Sequence, residues 1–238
     1  MMENMMKMHR SDKNLFYYDN LGEEQVILNE ETSRHIISVL RLNTGDSILL
    51  TDGKGTQAAA TIVDNNKKKC SVRLTEKKFT PRTSIQVAIG ISLIKNTSRF
   101  EWFLEKATEI GVSEIYPMIC ERTEKEHFRL ERMDGIITSA MLQSKQRWKP
   151  QLHQPTPFTK IISNDNYHQQ FIAHCIEDKD KINLKAIKLT GNAIILIGPE
   201  GDFTDHEVSL AKDFANVSLG PTRLRTETAG IVAAAFLC

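Results

Sequence analysis

The chain of 238 residues is 40% hydrophobic and 26% charged, with 12 glycines and 7 prolines, a balance that excludes collagen, low-complexity disorder and a disulfide-stapled mini-protein. Its net charge of +1 creates no global field toward a polyanion, but the sign varies along the chain: +1 over residues 1–80, +3 over 81–160 and −3 over 161–238. The longest apolar run, Ala229 to Cys238, falls far short of the roughly 20 residues that cross a bilayer, and Met1 to Met8 carries Glu3, Asn4 and Lys7 where a signal peptide needs apolar residues, so a soluble, cytoplasmic protein is expected.

In chain order, residues 1–7 read as a disordered extension. Short β segments follow at Leu15–Tyr18, Gln25–Leu28, Ser47–Thr51, Thr56–Val63 and Cys70–Leu74, with a helix over Glu31–Leu40. Asp52-Gly53-Lys54-Gly55 spells a hairpin turn, Asn65 and Asn66 open a second, and Lys67-Lys68-Lys69 is a solvated run or an RNA contact. Five strands and one helix make a small barrel over residues 1–80.

The rhythm changes after Thr80-Pro81. Ile85–Leu93 is a strand, and Phe100, Phe103, Leu104, Ala107 and Ile110 then mark one face of a helix closed by Gly111. Glu114–Ile119 is a strand, Arg129–Gln146 a helix, Phe171–Ile176 and Ala193–Ile197 strands, Asp205–Ala215 a helix, Val217–Leu219 a strand, and a last helix starts at Thr226. This alternation gives residues 81–238 an α/β fold with a mostly parallel sheet. Cys70, Cys120, Cys175 and Cys238 are too widely separated for a metal knuckle or redox pair, so no metal is expected.

Ligands of such sheets bind where strands end, which directs attention to strands that leave through glycine. Gly90 stands alone inside its strand. Leu196-Ile197-Gly198-Pro199-Glu200-Gly201 and Leu219-Gly220-Pro221 are paired Gly-Pro turns after two apolar strands. Neither is a dinucleotide fingerprint or a P-loop, which counts against kinases, GTPases and Rossmann dehydrogenases. The turns instead offer free main-chain groups to a flat heterocycle such as adenine.

These two segments, the second continuing through Leu224-Arg225-Thr226-Glu227-Thr228-Ala229, resemble the signatures of the bacterial 16S ribosomal RNA uridine-N3 methyltransferases, of the knotted SPOUT class. Lys95 with Arg99-Phe100-Glu101, Lys106 to Val112, and Glu121-Arg122 resemble the family's central helix and following loop. His35, Val39-Leu40-Arg41 and Gly45-Asp46 resemble its N-terminal PUA-like barrel. The chain departs at Asp202, where the family usually has a second glycine, and at Gln143-Ser144-Lys145-Gln146-Arg147, where lysine replaces glycine and the arginine is displaced by one. The resemblance implies a knotted SPOUT domain behind a PUA-like domain, S-adenosylmethionine as cofactor, and a homodimer with active sites at the subunit interface. It implies methylation of N3 of one uridine, conventional position 1498, in the 16S ribosomal RNA of the assembled small subunit.

By the same resemblance, His174, Ile197, Gly198, Pro199, Glu200, Gly201, Leu219, Gly220, Leu224, Arg225, Thr226 and Thr228 hold the cofactor. Arg225 is the candidate for stabilising a uracil anion, since its planar guanidinium reaches flat acceptors with a fork of donors; pairing with Glu227 or Glu200 is its structural alternative. Glu227 is a candidate proton acceptor or an acceptor of backbone N–H groups, and His174 borders the cofactor or is a core histidine. Arg41, Lys95, Arg99, Arg122, Arg147 and Lys149 are candidates for RNA phosphates, and Trp148 for stacking on a base. Trp102 lies off its helix's apolar stripe. Rival readings are a SPOUT enzyme acting on transfer RNA and an RNA-binding ribosome-assembly factor without catalysis.

Overall fold

The computed structural model describes residues 14–124, 127–176 and 180–238. Residues 1–7, read as an extension, lie outside them. The chain divides into two units, one running to Arg82 and including Met141–Trp148, the other made of Thr83–Ala140 and Lys149–Cys238.

The first unit contains β1 (Leu15–Tyr17), β2 (Gln25–Ile27), α1 (Glu30–Arg34), β3 (Ser47–Thr51), β4 (Thr56–Asp64) and β5 (Ser71–Phe79). They form a five-stranded sheet ordered β1-β3-β4-β5-β2. Its core gathers Ile36, Ile48, Leu50, Ile62 and Val72. The Asp52 turn forms as a hairpin needs, with Asp52 Oδ1 accepting from the N–H groups of Lys54 at 2.7 Å and Thr56 at 3.0 Å. The helix expected over Glu31–Leu40 is α-helical only to Arg34, and His35–Val39 continues it in wider π turns. The Leu40 N–H donates to His35 O across that wider turn.

Trp148 belongs to this unit, whereas the sequence reading places it in the C-terminal domain. Its Nε1 donates to Thr80 O at 3.0 Å, Phe79 meets its ring edge-on, and the Arg82 guanidinium lies 5.3 Å from its centroid. These partners leave less of the ring for a stacked base.

The second unit has β6 (Val87–Ser92), α2 (Thr97–Ile110), β7 (Glu114–Ile119), α3 (Leu130–Ser144), β8 (Gln151–Leu152), β9 (Thr156–Pro157), α4 (Phe158–Ile162), β10 (Gln169–Ala173), β11 (Ile182–Asn183), β12 (Ala193–Ile197), α5 (Asp205–Leu210), β13 (Ala215–Ser218) and α6 (Thr226–Leu237). The sheet order is β11-β13-β10-β12-β6-β7-β8, with β9 also on β7, and every pairing is parallel. Every residue of β6 and β12 is buried, as expected of strands covered on both faces. Alternate side chains go to opposite cores. Ile89, Ile91, Ile195 and Ile197 pack with Phe103, Leu104 and Ala233, while Ala88, Ile194 and Leu196 pack with Phe158 and Phe203.

Gly111 closes α2 at φ 104°, as its sequence position predicts. Gly90 is a packing glycine, since a Cβ there would stand 2.7 Å from Leu196 Cδ2. The helix expected over Asp205–Ala215 ends at Leu210, because Ala215 already pairs with Phe171 in the sheet. No helix among the described residues is long and apolar enough to cross a membrane.

Candidate active site

Strands β13, β10 and β12 are neighbours in the parallel sheet, so the loops after them leave from one edge. They line a single cleft of about 550 Å³. Of the twelve residues assigned to the cofactor, ten line it: His174 after β10; Ile197, Gly198, Pro199 and Glu200 at the end of β12; Leu219 and Gly220 after β13; and Leu224, Arg225 and Thr226 leading into α6. Gly201 and Thr228 are not among the lining residues.

Gly220 has φ 148°, and a Cβ built there would meet nothing within 4 Å. A larger side chain would therefore strain the backbone and stand in open space at the cleft. Gly198 allows close packing instead, since its Cβ would lie 3.0 Å from Phe203 Cδ2. The buried Thr226 hydroxyl donates to Gly198 O at 3.1 Å and ties the start of α6 to the first Gly-Pro turn.

His174 is buried, with Nε2 3.1 Å from Asn216 Oδ1 and Nδ1 buried without a partner. An amide oxygen only accepts, so Nε2 is the donor of that pair, and Nδ1 is left with its hydrogen-bonding capacity unused. A buried ring nitrogen without a partner, glycine main chain and a cleft of this volume fit a nucleoside-sized ligand. Arg225 is exposed, and its side chain makes no hydrogen bond or ion pair with the described residues. Glu227 is not a lining residue: it is buried, with Oε1 3.6 Å from Arg99 Nε and Oε2 without a partner.

The six candidates for RNA phosphates are distributed over both units. Arg41, exposed at φ 55°, and Arg147, whose Nη1 is buried without a partner, belong to the first. In the second, each already has a partner: Lys95 with Glu124 at 2.8 Å, Arg99 with Glu227, Lys149 with Asp134 at 2.9 Å, and Arg122 with Gly201 O at 2.7 Å. The Lys95 pair is largely solvent-exposed, so its energy is small and an incoming phosphate can displace it.

The sequence reading missed Cys175, Lys181, Asp202 and Arg223, which also line the cleft. Only Asp202 left a trace, as the departure from a usual glycine. Lys181 Nζ donates to the carbonyls of His174 and Ile176, a use that no local pattern announces. Burial, then the Asp202 carboxylate, raise the Cys175 thiol above its ordinary value. Among the described residues no group of three or more acidic, histidine or cysteine side chains could hold a metal ion.

Residues 81–238 match the RNA methyltransferase domain family, and residues 28–75 the RNA methyltransferase PUA domain family. The chain belongs to the RNA methyltransferase family. Among its relatives, ribosomal RNA small subunit methyltransferase E of Synechocystis sp. is 31% identical, over 91% of this chain and 74% of that protein. A probable rRNA-methyltransferase from Porphyromonas gingivalis superposes with a TM-score of 0.86 at 34% identity, over 93% and 95% of the two chains. Ribosomal RNA small subunit methyltransferase E from Neisseria gonorrhoeae, solved bound to S-adenosyl methionine, superposes at 0.81 and 26% identity, over 93% and 95%. The fold is thus SPOUT-like, a mostly parallel sheet with a small N-terminal PUA sheet.

Proposed function

We propose that this protein is an S-adenosylmethionine-dependent ribosomal RNA methyltransferase that modifies N3 of one uridine, conventional position 1498, in the 16S RNA of the assembled small subunit. The observation that carries the reading is the meeting of both Gly-Pro turns with His174 around one cleft, in a chain of this family. The proposal includes a knotted chain, a homodimer and a cytoplasmic location.

When bound, the cofactor supplies a methyl group on a positively charged sulfur. The chain's own contribution is positioning and charge. Main chain at Gly198 and Gly220 admits the flat heterocycle, and His174, held through Nε2 by Asn216, marks the β10 side of the cleft. Arg225, without a hydrogen bond or ion pair among the described residues, faces the nucleobase and stabilises the anion left when N3 gives its proton to a base in the solvent. Glu227, buried against Arg99, holds the first turn of α6, on whose N-terminal side Arg225 stands. Lys95 and Arg41 contact phosphate.

The test is mass spectrometry of 16S RNA from a strain lacking this gene, followed by complementation. Loss of N3-methyluridine at the assigned position and its return on complementation are expected; survival of the modification in the deletion strain would sink the assigned target. Light scattering of the purified enzyme is expected to give a dimer, and a fully active monomer would refute the shared-site part of the proposal.

A further inference from the structure

The loop leaving β12 at Gly198 is held from both flanks of its strand. In the sheet, β10 lies on one side of β12, and β6 then β7 on the other. From the β7 side, Arg122 donates through Nη1 to Gly201 O at 2.7 Å and Phe203 O at 3.4 Å. Its stem also lies close to Gly201, where a Cβ would stand 3.3 Å from Arg122 Cδ. From the β10 side, Asp202 Oδ2 accepts from the Cys175 N–H at 2.7 Å, while Oδ1 accepts from the Phe203 N–H at 2.9 Å. Asp202 does this at φ 65°, a left-handed conformation that strains an ordinary side chain.

The two grips join segments that are remote in sequence, and both close on a loop of the cleft. A second tie runs beside the first: the Glu121 N–H donates to Glu207 Oε1 at 2.9 Å, and Glu207 also completes the capping box that starts α5 just after the loop. A loop restrained before its ligand arrives has already lost the entropy that binding would otherwise cost.

We infer that Arg122 and Asp202 are positioning residues that hold the loop 198–203 in the shape that receives the cofactor. Arg122 thereby serves the cofactor loop and not the phosphates of the RNA substrate. The inference rests on the cofactor reading above, but the restraint itself is measurable in the free protein.

The experiment compares wild type with Arg122→Ala, Arg122→Lys and Asp202→Gly by amide hydrogen exchange without ligand, and by calorimetric titration with S-adenosylmethionine. A 16S ribosomal RNA fragment provides a separate binding assay. Loss of one or two hydrogen bonds should speed exchange in the loop about tenfold and weaken cofactor binding by a similar factor. Asp202→Gly should also expose the Cys175 amide, exchange in β10 and β12 should stay at the wild-type rate, and Arg122→Lys should fall between wild type and Arg122→Ala. RNA affinity should not change. Should Arg122→Ala not fold, Asp202→Gly and Arg122→Lys carry the same comparison. Unchanged loop exchange in the folded variants would overturn the inference, as would lost RNA affinity with cofactor affinity intact. Faster loop exchange in variants of a wild type that takes up no S-adenosylmethionine would refute the cofactor reading and leave the restraint standing.

Discussion

Gly220 and Arg225 stand five residues apart on the same cleft and should fail in different ways. Gly220→Val puts a branched side chain at φ 148° into open space, so calorimetry should show S-adenosylmethionine binding abolished, with a stability cost of about 1–3 kcal/mol. Unchanged affinity would remove Gly220 from the site. Arg225→Lys keeps the charge and loses the planar fork; with no partner to lose among the described residues, it should keep its melting temperature and cofactor affinity while single-turnover methylation falls on the order of 10²-fold. Raising pH from about 7 to 9 should partly rescue that variant, because more of the uracil is then already deprotonated. A destabilised variant with a flat pH response would refute the role. The two Gly-Pro turns could be read because glycine at a strand end limits what can happen there, whereas Arg225, at the start of α6, enters through the family resemblance. The grip of Arg122 could not be read, since its carbonyl partners lie 79 and 81 residues away and leave no mark on its neighbours in sequence.

At the scale of elements, Gly230 lies inside α6, where helix propensity alone favours alanine by about 1 kcal/mol. The structure reverses the sign. A Cβ at Gly230 would lie 2.6 Å from Phe103 Cε2 and 3.0 Å from Ile91 Cδ1, both fully buried where α6 meets α2 and β6. Such overpacking typically costs 1–3 kcal/mol, so Gly230→Ala should lower stability in urea unfolding; a stabilised variant would show that the helix shifts freely. The same contrast explains which elements could be read. Strand β12 emerges at its expected bounds because it is an unbroken apolar run between clear stops, and β7 at its own because Gly111 ends the helix before it. Two-residue strands such as β8, β9 and β11 are too short to show any period, and they exist only because a neighbour supplies the pairing. The π turns after α1 have no residue signature either.

At the scale of the molecule, the change of rhythm near Thr80–Thr83 marks where one unit gives way to the next along the chain, but it carries no sign of Met141–Trp148 returning to the first unit. That return depends on contacts far apart in sequence. Gly55 donates its N–H to Arg147 O at 3.0 Å, Trp148 Nε1 reaches Thr80 O, and the indole lies where a Cβ on Gly55 would be 2.6 Å from Cζ2. Gly55, at φ 93°, is therefore needed twice, for its backbone angle and for the approach of the ring. Trp148→Ala removes a half-buried aromatic and leaves Thr80 O without that donor, which together should cost about 2–4 kcal/mol. Hydrogen exchange should locate the loss, with faster exchange in β3, β4 and β5 and unchanged exchange in β6 and β12. If Trp148 instead served by stacking on a base, the variant would keep wild-type exchange in β3–β5 and lose RNA affinity by the roughly 1–3 kcal/mol that one stacked base contributes. The two measurements on one variant separate a tryptophan that completes the first unit from one that reads the substrate, and the packing of Gly55, Phe79 and Arg82 around the ring favours the former.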